Sequence, residues 1–197
     1  MRTIKHVLAL TAASFLAAAT LTASPAHAAP AYRADCPVPP AADVKRARQD
    51  AIDKPARGAD AISGLRIGHV PKGFTYGQVQ VAKRKGAMTE YSYLWSDERN
   101  DVNPRHRSLR VQVICGSKVT DLAGLKRLRL DEGAFRGVEA KTTKLGDRTV
   151  LVRLTDGALG SGRLVGWVEP GGTVVTVLAS EPLVRDLAKI VRGVRPA

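Results

Sequence analysis

The chain has 197 residues, with 31 Lys and Arg against 18 Asp and Glu, a formal net charge of +13, and two cysteines. That length suits one domain with a sizeable core. Beyond the N-terminus no apolar segment is long enough to span a bilayer, and no repeat recurs at a fixed period. The basic balance is not accompanied by any nucleic-acid-binding motif, so nucleic acid is not an expected partner. Part of that balance reflects an Ala-, Arg- and Gly-rich composition of the kind high-GC genomes encode.

Arg2 and Lys5 precede an almost wholly apolar run over residues 7–21, and Pro25-Ala26-His27-Ala28 closes it with small residues. This is the layout of a secretory signal peptide over residues 1–28, cleaved after Ala28. Its apolar run of about 15 residues falls short of the ~20 a membrane anchor needs. Cys36 follows Tyr32-Arg33-Ala34-Asp35, which is not a lipidation site. Cleavage takes Arg2 and Lys5 with it, so the mature chain carries +11 and no membrane span. The expected localisation is extracellular.

Residues 29–61 form a Pro- and charge-rich segment, poor in large apolar residues and expected to be mobile or loosely docked. A short charged helix over residues 43–52 is possible there, carrying Val44, Ala47, Ala51 and Ile52 and stopped by Pro55. Cys36 and Cys115 are the only cysteines, and export would place them where disulfides persist. Their pairing would tie this segment to the sheet.

Residues 62–197 form the main domain. Leu65, Ile67 and His69 alternate before Val70-Pro71-Lys72-Gly73, a turn. Strands are predicted over residues 74–81 and 89–95, joined by a hairpin tip at residues 83–86. After a polar loop, Leu109, Val111, Val113 and Cys115 share one side of a further strand while Arg110 and Gln112 face away. Thr120 or Asp121 caps a short helix carrying Leu122, Leu125 and Leu128. Residues 137–142 and 149–154 form another pair, and residues 157–162 a flexible loop. Residues 163–168 and 173–178 make a hairpin around Glu169-Pro170-Gly171-Gly172, a type II turn signature. Ser180 then caps a helix whose Leu183, Leu187, Ile190, Val191 and Val194 lie on one stripe. The expected class is α+β: a single antiparallel, twisted or curved sheet of about seven strands, with this amphipathic helix packed on one face.

Motifs of catalysis are lacking. The histidines left after cleavage, His69 and His106, belong to no metal-spaced set, and Gly160-Ser161-Gly162 is not a nucleophile elbow. No phosphate-cradling or dinucleotide-binding glycine pattern occurs, so no cofactor is expected. Two features speak for binding instead. Tyr91, Tyr93 and Trp95 alternate, which places three rings on one face of a strand, either as a platform for a ligand or as core. Positive charge gathers in two clusters, Lys83-Arg84-Lys85 and Arg99, Arg105, Arg107 and Arg110. The intervening strand spans roughly 23 Å. That exceeds a Debye length of about 8 Å, so two separate weak sites are expected.

Gly166-Trp167-Val168-Glu169-Pro170-Gly171-Gly172, the strand after it and the helix with Leu187-Ala188-Lys189-Ile190-Val191 resemble the C-terminal half of a small domain. That domain occurs in secreted and membrane-attached proteins of Gram-positive bacteria, including extracytoplasmic parts of anti-sigma-factor-like proteins. Val70-Pro71-Lys72-Gly73-Phe74 is similar to the entry to that domain's first strands, and the whole resembles small exported actinobacterial proteins of unknown function. The resemblance implies an α+β sheet with a terminal helix and no known activity. The expected role is therefore a non-catalytic secreted protein binding an anionic envelope polymer or an extracellular protein. A secreted enzyme or enzyme inhibitor without a recognisable motif is the alternative.

Overall fold

Strand alternation builds the centre of the molecule. The computed structural model describes residues 36–98, 105–130, 135–136, 139–157 and 160–197; the expected leader lies outside them. Eight strands form one antiparallel sheet made of two meanders. The first runs through β1 (Ile52–Asp53), β3 (Tyr76–Lys83), β4 (Thr89–Ser96) and β5 (Ser108–Cys115), with β2 (Leu65–Ile67) standing apart. The second comprises β6 (Lys141–Leu145), β7 (Arg148–Gly157), β8 (Gly160–Val168) and β9 (Val174–Ser180). The two are joined where β5 pairs with β9, in the order β1-β3-β4-β5-β9-β8-β7-β6.

One face of the sheet carries the larger core. Val79, Tyr91, Tyr93, Trp95, Leu109, Val111, Val113, Val165, Trp167, Val175 and Val177 are all buried there. Each buried aliphatic side chain contributes about 1.5–3 kcal/mol, which makes this layer the main source of stability. Residues 61–67 cover one part of it. Leu187, Ile190 and Val191 of α3 (Leu187–Gly193) cover another, so the terminal helix packs on one face as its stripe predicts.

The opposite face is apolar over only half its width. There Ile114, Leu151, Leu164 and Val174 pack beneath Leu125 of α2 (Leu122–Arg127) and Phe135. Gly166 admits the Phe135 ring, whose carbons would stand 2.6 and 2.8 Å from any Cβ there. Asp121 caps α2 by accepting a hydrogen bond from the Gly124 N–H at 2.6 Å.

Several expectations need correction. Residues 65–67 do not join the main sheet; they pair with β10 (Val194–Pro196) in a second, two-stranded sheet. The terminal helix is accordingly shorter than its stripe suggests. Glu181–Asp186 winds as a tight 3₁₀ turn, and the α-helix stops at Gly193, where the chain turns extended with Val194 buried and Pro196 unable to continue a helix. The Ser180 hydroxyl caps nothing and instead accepts from the Ser108 N–H at 2.9 Å. The loop expected over residues 157–162 is largely strand, since β7 and β8 pair as far as Gly157 and Gly160.

The N-terminal segment is docked. Cys36 and Cys115 form a disulfide, with Cα atoms 5.8 Å apart. β1 pairs with β3, and α1 (Ala41–Arg48) lies beside it, its Arg46 forming an ion pair with Asp53. α1 buries no residue fully, so its thin apolar stripe does not fix it. The fixing comes from the sheet. The Tyr93 hydroxyl accepts from the Ala56 N–H at 2.8 Å, and Trp95 Nε1 donates to the Ala56 carbonyl at 2.9 Å. The Tyr91 hydroxyl accepts from the Ser63 N–H at 3.1 Å and donates to Asp43 Oδ2. Gly77 makes this approach possible, because a Cβ there would collide with the Tyr93 hydroxyl.

Candidate functional site

The polar half of the second face lies on β3, β4, β5 and β9. Register places Gln80, Ser92, Gln112 and Thr176 directly opposite one another, a polar row across four strands. Thr176 Oγ1 donates to Gln112 Oε1 at 3.2 Å, and Ser92 Oγ to Gln80 Oε1 at 3.5 Å. One row further on, Glu90 is only 7 % exposed. Its carboxylate accepts from Arg84 Nε at 3.0 Å, Arg84 Nη2 at 3.3 Å and Gln112 Nε2 at 3.0 Å. Burying a carboxylate is costly unless it is paired and hydrogen-bonded in this way.

Two adjoining clefts open here, the first over this row and the second beside it. The first, of about 310 Å³, is lined by Asp50, Gln80, Arg84, Glu90, Ser92 and Arg110 among others. The second, of about 520 Å³, shares Arg84 and Glu90 with it. Lys85, Lys118 and Arg129 add three more cations there, over a floor that includes Met88 and Leu128. Among the described residues no carboxylate pairs with Lys85, Lys118 or Arg129. A cleft of that volume is roughly 10 Å across, close to one Debye length, so these charges act together on a ligand.

The expectation of two separate basic sites is therefore corrected. Arg84 of the first cluster and Arg110 of the second line the same cleft. Distance along the chain misleads here because Arg84, just past the end of β3, and Arg110, on β5, flank β4 from either side. Arg105 is exposed, and Arg107 stacks on Phe74 at 5.3 Å while its N–H donates to Asp97 Oδ1 at 2.8 Å. Neither lines the clefts. Arg99 lies outside the described residues.

The aromatic row is core. Tyr91, Tyr93 and Trp95 are 0 %, 1 % and 0 % exposed, so their binding-platform alternative is set aside. Burial, and next the bond to Asp43, holds the Tyr91 phenol well above its ordinary value near 10, and burial also raises Tyr93. An acid raised in the folded state contributes stability that is complete below its unfolded pKa and lost as pH climbs through the folded one. The urea midpoint is thus expected to fall above about pH 10, with a shallower fall in Tyr91→Phe. A variant whose pH profile parallels that of the parent would show that this phenol is not held neutral by the fold.

Sequence reasoning identified Arg84 and Lys85 as part of a basic cluster, and Arg110 and Gln112 as facing away from the core, but missed Glu90, Ser92, Lys118 and Arg129. The signal for Glu90 and Ser92 was present, since they alternate with the three aromatic residues. Lys118 and Arg129 gave none, because only the folding back of residues 116–130 brings them to β4. Among the described residues no group of three or more His, Cys, Asp or Glu could hold a metal ion, and no helix is long and apolar enough to cross a membrane. Comparison with known proteins found no matching family model, no similar curated protein and no similar solved structure.

Proposed function

We propose that this protein is a non-catalytic exported protein that binds an anionic polymer of the cell envelope through the cationic cleft between the β3–β4 turn and the segments that follow β5 and α2. The observation that carries this is the convergence of Arg84, Lys85, Lys118 and Arg129 on one open cleft, three of them without a described acidic partner. The disulfide suits a compartment outside the cytosol, as does the leader-like N-terminus. Both oxygens of Glu90 are engaged by Arg84 and Gln112, which favours a fixed electrostatic role over acid–base chemistry. The resemblance of residues 166–172 to small exported domains supports the same reading.

The test is charge reversal at two exposed positions. Lys118→Glu/Arg129→Glu is expected to weaken binding to an immobilised polyanion by about tenfold or more, with the free energy of unfolding in urea changed by less than about 0.5 kcal/mol. Binding by the parent protein should weaken between low and moderate salt. Affinity indifferent to both salt and charge reversal would end this reading.

A further inference from the structure

We propose that the ligand is a polyanion bearing hydroxyl groups between its charges, rather than a bare polyanion; this rests on the polyanion reading above. The two clefts differ in chemistry. The Lys85, Lys118 and Arg129 end is cationic: with Arg84 it sets four cations against Glu90, as an anionic group requires. The adjoining end is balanced in charge, Asp50 and Glu90 against Arg84 and Arg110, and adds the neutral polar groups of Gln80, Ser92 and Gln112.

Hydrogen-bond capacity decides what suits that second end. Gln80 Nε2 donates one N–H to Gln78 Oε1 at 3.4 Å and has a second to give. Ser92 Oγ spends its proton on Gln80 and keeps its lone pairs. A bare phosphate chain has only acceptor oxygens, so it meets Asp50 as like charge, cannot donate to Ser92, and finds Arg84 and Arg110 already engaged in other interactions. A hydroxyl can donate to a carboxylate or to Ser92 and accept from Gln80. A chain alternating anions with polyol or sugar units matches both ends, whether its charge comes from phosphodiesters or from uronates.

The experiment compares four probes on the full oxidised protein at about 0.15 M salt. They are poly(glycerol phosphate), a polyuronate, linear polyphosphate of matched charge, and neutral dextran. At least one of the hydroxylated polyanions is expected to bind about tenfold tighter than polyphosphate, the worth of one or two net hydrogen bonds. Which of the two binds tighter identifies the source of the charge. Gln80→Ala should erase most of that preference. Asp50→Asn, at an exposed position, should narrow it by improving polyphosphate binding. Polyphosphate binding as tightly as either hydroxylated polymer would overturn this inference and leave the polyanion reading standing. Failure of all three polyanions to bind, or dextran binding as well as they do, would overturn both.

Discussion

Replacing both cysteines, Cys36→Ser/Cys115→Ser, is expected to lower the free energy of unfolding by about 4 kcal/mol in the chain-entropy model, since the bond closes residues 79 apart in sequence. A domain of ordinary stability, roughly 5–15 kcal/mol, would remain folded but marginal. The loss should be greatest at one place. α1 buries no residue fully, and the two residues of β1 are exposed, so residues 36–63 depend on the disulfide and on hydrogen bonds to Tyr91, Tyr93 and Trp95. Without the disulfide, the amide hydrogens of Ala56 and Ser63 should exchange well before those of β5 and β9. Limited proteolysis should cut within residues 36–61 first. Uniform exchange across the sheet, or a variant as stable as the parent, would contradict the idea that this segment is clamped locally.

That clamp shows where the sequence was readable and where it was not. Wherever strands alternate over several residues, as in β4, β5, β8 and β9, period two gave the element, and in β5 also the side that Leu109, Val111 and Val113 turn to the core. The pairing of Cys36 with Cys115 was also legible, there being no other partner for either. What escaped is non-local. The segment before Ile62 looks loose because its own apolar content is thin; its partners are phenol and indole groups some 30 to 40 positions away, admitted by the absence of a side chain at Gly77. Val194 fits the helical stripe perfectly well, yet it leaves the helix because Leu65–Ile67 offers it a strand to pair with. The basic residues were counted along the chain, whereas the fold gathers Arg84 and Arg110 in one cleft from either side of β4, and brings Lys118 and Arg129 to the adjoining one by chain reversal.

The C-terminal tail should prove equally dependent on one side chain. Arg148 lies over the Trp167 ring at 5.0 Å, donates to the carbonyls of Val191 and Val194 at 2.7 and 2.6 Å, and reaches Glu169 Oε1 at 3.2 Å. Trp167 Nε1 donates to the same carboxylate oxygen at 2.7 Å. With the arginine and glutamate side chains only 10 % and 15 % exposed, solvent screens this pair little. Arg148→Met keeps much of the apolar contact with Trp167 but leaves a mostly buried carboxylate without its cation and removes the arginine's hydrogen bonds to the Val191 and Val194 carbonyls, the first of which keeps only the Val194 N–H. The expected cost is about 3 kcal/mol or more. Adding Glu169→Gln should recover the part due to the stranded charge and not the part due to the carbonyls, so the double variant should fall between Arg148→Met and the parent. Urea denaturation of the four proteins in this cycle measures both parts. A cost below about 1 kcal/mol for Arg148→Met would mean that packing of Leu187, Ile190 and Val191 alone holds the tail.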